Sequence, residues 1–287
     1  MAPAICAGVG VHSGRHVRLS LRPAAPGHGI VFVRTDVQDR DNRIPVSGEA
    51  VLDSRLNTLI GNEAGVTLAT IEHLMAAFCA LGISNVLVEV DGPELPIMDG
   101  SALPFVQLLD QAGFRRQQAP LRHIEVLEPI VVEEGDKLAA LLPCDRYEMF
   151  FEVAFDSPVI GRQCVDFVVD EQTFRDEIAA ARTFGFAHEV EALRRAGLAQ
   201  GGSLENAVVI EGDTILNPGG LRMEREFARH KALDAIGDLY VLGAPLLARY
   251  EGCKSGHALN NKLVRKLLAQ PESWRTVTRM PALQASA

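Results

Sequence analysis

The chain has 287 residues, 47% of them hydrophobic and 23% charged, a globular composition with room for about two modest cores and none of the bias of collagen, coiled coils or disorder. Its 37 acidic and 28 basic residues leave a formal charge of -9, which excludes a global positive field for nucleic acid or anionic lipid and leaves only local basic pockets. Five cysteines (Cys6, Cys79, Cys144, Cys164, Cys253) without C-x-x-C spacing, no Lys or Arg in residues 1–11, and a longest apolar run (239–248) broken by Gly243 and Pro245 lead to the expectation of a reduced, cytoplasmic chain with neither export signal nor membrane span.

Val17, Leu19 and Leu21 alternate with Arg18, Ser20 and Arg22, the period of a half-buried strand, and residues 30–33 are a second β-branched run. From Thr70 the period changes. Ile71, Leu74, Met75, Phe78 and Cys79 make a helical stripe that stops at Leu81-Gly82, and residues 86–90 return to strand. Ser101 is placed to cap a helix over 101–112 that ends at Gly113. The polar run 116–120 then reads as a linker, which divides the chain into units 1–118 and 119–287.

Past the linker the pattern predicts strands at 124–132, 137–142, 148–155 and 165–169, then helices at 171–181 and 190–196 and a glycine-rich break at 197–202. Helices follow at 224–242 and 258–269. Both halves share an order of strands, a helix ending in Leu-Gly (Leu81-Gly82; Leu242-Gly243), a strand and a further helix. That order predicts a duplicated α+β unit.

In the long helix, H-K-A-L-D places His230 and Asp234 one turn apart on one face, with Asp238 a further turn along among apolar neighbours. Taken alone the pair also fits a helix-surface contact. The earlier helix carries Glu72 and His73 inside an otherwise apolar stripe, where a lone histidine also fits a satisfied core residue. Together His73, His230 and Asp234 supply two imidazoles and a carboxylate, the three-ligand set that leaves a fourth tetrahedral position open in catalytic zinc sites. Glu72 is then the candidate general base, and His257, after the pliant Ser255-Gly256, the candidate acid. Thr183 and Phe184 pair a hydroxyl with an aromatic ring beside Gly185.

Six segments taken in order closely resemble one family: G-V-G-V-H-S-G (8–14), T-I-E-H-L (70–74), P-I-M-D-G-S-A (96–102), A-R-T-F-G-F (181–186), R-H-K-A-L-D-A-I-G-D-L (229–239) and K-S-G-H-A-L-N-N-K (254–262). The family is that of the UDP-3-O-acyl-N-acetylglucosamine deacetylases, the LpxC family, zinc enzymes of the committed step of lipid A synthesis in Gram-negative bacteria. The resemblance implies two similar two-layer α+β domains, each a sheet packed on helices, with the active site between them. It implies one zinc ion per chain, with ferrous iron the other candidate, held by His73, His230 and Asp234. Glu72 falls on the family's base, His257 on its proton donor or electrostatic catalyst, Thr183 on the oxyanion-stabilising hydroxyl and Asp238 on the residue that orients His257. Lys231 and Phe184 fall on substrate contacts.

The implied reaction is hydrolysis of the N-acetyl amide to acetate and a free 2-amine, with either His257 or protonated Glu72 supplying the leaving amine's proton. The 3-O-acyl chain requires an apolar groove, for which 184–210 offers Phe184, Phe186, Val190, Leu204 and Val209, and the diphosphate requires a cation, for which Lys231 is placed. A monomer acting on a small-molecule substrate is expected, without a nucleic-acid partner. The chain starts only a few residues before G-V-G-V-H-S-G, so a short first strand is expected, and Met223 and Arg225 stand where the family commonly has an aromatic and an acid. Two other readings are a metal-dependent dehydratase or other hydrolase on a like scaffold, and a non-catalytic UDP-sugar or acyl-binding module with a structural metal. The first calls for more clustered histidines, the second for a closed four-ligand site that the scattered cysteines do not form.

Overall fold

Alternation in the opening segment is realised as a sheet in the computed structural model, which describes residues 4–279. Strands β1 (Ala4–Val9), β2 (His16–Pro23), β3 (Ile30–Arg34) and β4 (Arg43–Pro45) are followed by the short β5 (Val51–Asp53), β6 (Leu59–Gly61) and β7 (Thr67–Leu68), helix α1 (Glu72–Ala80), strand β8 (Val86–Val90) and helix α2 (Leu103–Ala112). The main sheet has the order β1-β2-β8-β3-β4, and β5 to β7 form a separate three-stranded sheet. Val17, Leu19 and Leu21 of β2 are buried while Arg18 and Arg22 face out, the one-sided burial that the pattern encodes. The expected short first strand is paired along all 6 of its residues, from Ala4 opposite Leu21 to Val9 opposite His16.

No regular element lies between Ala112 and Leu121. The second half then runs β9 (Leu121–Val126), β10 (Ile130–Glu134), β11 (Lys137–Pro143), β12 (Tyr147–Ala154), β13 (Arg162–Val168), α3 (Glu171–Thr173), β14 (Phe184–Phe186), α4 (Ala187–Arg195), β15 (Val208–Glu211), β16 (Thr214–Ile215), α5 (Glu226–Tyr240), β17 (Leu246–Cys253), α6 (His257–Leu268) and β18 (Trp274–Arg279). Its core sheet has the order β10-β11-β17-β12-β13, extended by β9 and β18 beside β17. In each half the last of the five core strands in chain order enters the middle of the sheet, parallel to the third (β8 to β3, β17 to β12) and antiparallel to the second. The two units therefore share one topology, and the chain is a mixed α+β protein built on a repeat.

Parallel neighbours need a crossover, and here the crossovers are helical: α1 precedes β8 and α5 precedes β17. These two helices pack on each other. Eight residues of α1, from Glu72 to Cys79, are buried, so the helix is enclosed on all sides and its stripe is less telling than the sequence pattern suggested. Contact is closest at Gly237, where a Cβ would stand 2.0 Å from the Glu72 carbonyl oxygen. Gly237→Ala is expected to lower unfolding free energy by about 1–3 kcal/mol or more through overpacking. Denaturant titration measures it, and unchanged stability would rule out the backbone contact.

Local departures from the sequence reading have physical causes. The strand expected at 124–132 is two strands, because Pro129 has no N–H for a ladder and the Leu127 and Glu128 amides turn aside to the Ser273 carbonyl (2.8 and 3.3 Å). The helix expected at 171–181 has one α-turn and then a π-helical turn, Phe174–Ile178, closed by the Ala179 amide on the Phe174 carbonyl at 2.7 Å. Helix α2 starts at Leu103, whose amide donates to Ser101 Oγ at 3.2 Å. The helix expected at 190–196 starts at Ala187 as α4. All five cysteines are free, and no helix among the described residues is long and apolar enough to cross a membrane.

Candidate metal centre and catalytic cleft

The crossover pair brings the predicted ligands together. His73, on the first turn of α1, and His230 and Asp234, a turn apart on α5, are all buried, and one ligand atom from each lies within 4.8 Å of the others. Asp234 Oδ1 is 3.5 Å from His73 Nε2 and 3.3 Å from His230 Nε2, and the two imidazoles meet edge to face with centroids 5.1 Å apart. His230 Nδ1 lies 3.1 Å from the Ala181 carbonyl, which can only accept, so Nδ1 carries the proton and Nε2 turns its lone pair inward. Burial pushes His230 down to about 3, keeping it neutral. Burial would raise Asp234, but His230 and then Lys231 outweigh it and hold the carboxyl well below the usual range. Two imidazole nitrogens and a carboxylate form a donor set that fits a divalent cation of the zinc or ferrous type.

Glu72 precedes His73 and is buried, with Oε2 accepting the Thr58 backbone N–H at 3.1 Å. Burial raises it above the ordinary carboxylate range, against the pull of His257 and His73. Beside the same cluster, His257 opens α6 with Nδ1 2.9 Å from both oxygens of Asp238 and Nε2 3.7 Å from Asp234 Oδ2. Burial alone would lower His257; Asp238 and then Asp234 outweigh it and hold the imidazole up at about 9. Asp238 is itself fixed by Thr58 Oγ1 (2.6 Å) and Asn260 Nδ2 (2.8 Å), and Asn260 Oδ1 accepts from Tyr250 and Ser255 at 2.7 Å each. Lys231 Nζ is paired with Asp234 Oδ2 at 2.7 Å. That contact directs its ammonium toward the metal ligands.

Thr183 is half-buried where β14 begins, its amide donating to the Gly100 carbonyl and its carbonyl accepting from the Val208 amide, both at 2.8 Å. Gly100 is pressed into the second half so closely that a Cβ would stand 2.1 Å from the Asn206 carbonyl oxygen. A buried ion pair supports this edge: Glu226 Oε1 accepts from the Arg182 backbone N–H (3.1 Å) and Nε (2.8 Å), tying residues 181–183 to the start of α5. Arg222 also donates its amide to Glu226 (2.7 Å) and pairs with Asp99 (2.8 Å).

The proposed groove residues fall into separate places. Phe184 packs edge-on against Phe227 (4.9 Å) and Phe155 (5.8 Å) and lies 6.3 Å from the His230 ring, and Phe186 is 6.1 Å from Phe155. Strand alternation turns Gly185 and Val209, which are paired in register, to the opposite face, where Val190 of α4 approaches Gly185. Leu204 is 43% exposed in the preceding turn. No residue of α4 is buried, so this amphipathic helix leaves its apolar side, with Val190 and Leu193, half-covered.

Several contributors escaped the sequence reading. Asn260 stands three residues after His257 on α6, a spacing that could have revealed it. Thr58 sits beside a strand of three residues, where no period exists to read. Glu94 is buried and holds the 8–14 motif by accepting from the His12 and Ser13 amides (2.9 and 2.8 Å), which only the fold reveals.

The family model for the LpxC family, UDP-3-O-acyl N-acetylglycosamine deacetylase, matches residues 1–269. A UDP-3-O-acyl-N-acetylglucosamine deacetylase of Phenylobacterium zucineum (strain HLK1) is 64% identical over 277 residues, covering 96% of this chain and 94% of that protein. Proteins of the same name from Myxococcus xanthus (strain DK1622) and Shewanella sp. (strain W3-18-1) are 50% and 49% identical, covering 94% of this chain in each case and 85% and 89% of their own lengths. With the repeated α+β units and the His-His-Asp cluster between their crossover helices, these matches show that the chain belongs to the LpxC family of deacetylases, which are hydrolases.

Proposed function

We propose that this protein hydrolyses the N-acetyl group of a UDP-3-O-acyl-N-acetylglucosamine, releasing acetate and UDP-3-O-acyl-glucosamine, and that a zinc ion held by His73, His230 and Asp234 is its cofactor. The observation that carries the reading is the convergence of a buried carboxylate (Glu72) and a carboxylate-anchored imidazole (His257) on one metal-capable cluster. A structural metal site has no use for such a flanking pair.

When bound, the metal supplies Lewis-acid polarisation of the amide carbonyl and activation of water. Glu72, fixed by the Thr58 N–H and made more basic by burial, accepts the proton of the attacking water. The Thr183 hydroxyl donates to the oxygen that becomes negative as the carbonyl is attacked. His257, charged through its contact with Asp238, stabilises that oxyanion, and either it or protonated Glu72 delivers the leaving amine's proton. Lys231 contributes positive charge at the cleft, and the aromatic edge of Phe184 and Phe186 with the half-covered side of α4 (Val190) and the neighbouring Leu204 and Val209 receives the acyl chain. The two units divide at 118 and 119 in this reading. Five free cysteines support a cytoplasmic location, and a monomer suffices because both units of the site come from one chain.

The test is acetate release from UDP-3-O-acyl-N-acetylglucosamine by purified protein, stripped with a chelator and reloaded with zinc or ferrous iron. Activity is expected to vanish on chelation and return on reloading. Folded, metal-loaded protein that binds the nucleotide sugar but releases no acetate across several acyl lengths would make it a binding module instead.

A further inference from the structure

We propose that Thr58 is a positioning residue that holds the proposed base and the proposed acid in register, making the small sheet β5–β7 part of the catalytic apparatus. The inference rests on the roles given above to Glu72 and His257. Thr58 is 3% exposed and makes two bonds in two directions. Its backbone N–H donates to Glu72 Oε2 at 3.1 Å, and its hydroxyl donates to Asp238 Oδ1 at 2.6 Å, the carboxylate that grips His257 Nδ1 at 2.9 Å. One residue thereby spans the carboxylates of α1 and α5, two elements from different halves of the chain.

Asp238 shows what the hydroxyl adds. Its Oδ2 is held by Asn260 Nδ2 at 2.8 Å, and Asn260 belongs to α6, the helix that also carries His257. The Thr58 hydroxyl is the contact that ties the carboxylate to the first half of the chain. Without it, the Asp238 carboxylate on α5 is held by α6 alone and can turn about its side-chain bonds, which lets the His257 ring shift relative to Glu72. A charge-assisted O–H···O bond of 2.6 Å is short and strong enough to oppose that rotation.

The frame around Thr58 is braced on both sides. Asn57 Nδ2 donates to Thr70 Oγ1 (2.9 Å), which donates to buried Glu94 (3.0 Å), and Arg265 of α6 donates to the Val51 carbonyl (2.6 Å). Gly48, just before β5, lies so close to α6 that a Cβ would stand 2.6 Å from Leu268 Cδ1 and 2.9 Å from Val264 Cγ1. The small sheet is thus fixed to α6 at one end and beside the start of α1 at the other. Thr58 is the point where that frame reaches the reacting groups.

The test compares Thr58→Val, which keeps the shape and the backbone N–H but removes the hydroxyl, with Thr58→Ser, which restores it. In the zinc-loaded enzyme, Thr58→Val is expected to lower kcat about 10- to 100-fold, the loss of one hydrogen bond to a charged group, with KM within about twofold and metal content unchanged. Thr58→Ser is expected to recover most of the rate. In protein labelled with 15N-histidine, the His257 Nδ1 proton is expected to shift in Thr58→Val and to return in Thr58→Ser. If the valine variant does not fold, Thr58→Ala takes its place against the same serine control. Wild-type kcat in the valine or alanine variant, a serine variant equally impaired, or a loss confined to KM or metal content overturns the proposal. An inactive wild-type enzyme overturns the deacetylase reading instead, and the histidine signal alone then decides the Thr58–Asp238–His257 linkage.

Discussion

Glu72→Gln is expected to lower kcat by about 10²- to 10⁴-fold, the usual contribution of a positioned general base, with metal content and stability close to those of the parent protein. Glutamine has the same shape, and its carbonyl oxygen can still accept the Thr58 N–H that Glu72 Oε2 accepts now. What it cannot do is take a proton from water. The substitution also removes an ionisable group from a buried position where burial already disfavours the charge, so the fold has nothing to lose by it. Rapid-mix kinetics with metal analysis on the same preparation measure the effect. Near-normal turnover with metal bound would reject Glu72 as the base and leave His257 to perform both proton transfers.

His230→Ala is expected to have the larger effect on the metal. Losing an outer partner of a ligand costs about 10- to 100-fold in metal affinity, and losing the ligand itself costs more. The remaining pair, His73 and Asp234 at 3.5 Å, is too small a set to define a tetrahedral site. Stability gives a readout independent of activity. A metal at 100 times its Kd stabilises the folded state by about 2.7 kcal/mol, and the variant should lose this increment while its metal-free stability shows only the cost of a small cavity. Thermal melts with and without chelator separate the two. Full metal content and an unchanged melting shift would refute the ligand assignment.

The His-His-Asp cluster was legible in its two pieces because each piece is local. His230 and Asp234 lie four residues apart on a long helix, and Glu72 and His73 interrupt an apolar stripe, so chemistry could be read where helix geometry dictates direction. The repeat was legible as an order of elements, although the central placement of β8 and β17 was not, since pairing between distant strands leaves no trace in local period. The contributions of β5 to β7 were hidden for a different reason. Strands of two or three residues hold less than two periods of alternation, and Thr58 works through a backbone amide and one hydroxyl, neither of which marks the sequence. The groove residues were legible only as apolar positions, because alternation along a strand, which puts Phe184 and Phe186 on one face and Val209 opposite Gly185 on the other, decides their direction only once the pairing is known.

The pairing of β18 with β9 sets a timetable for the ribosome. Arg275 meets Glu125 across 150 residues, so the strand that opens the second half waits that many residues of synthesis for its antiparallel neighbour. At roughly 5–20 residues per second that wait lasts on the order of ten seconds, during which β9 has both edges open to wrong partners until β17 is made and one edge open until β18 follows. The first sheet meets no such delay, since β8 completes it by residue 90. Synthesis therefore passes through a stage with one half finished and the other a half-open sheet, the stage at which nascent-chain chaperones have most to protect.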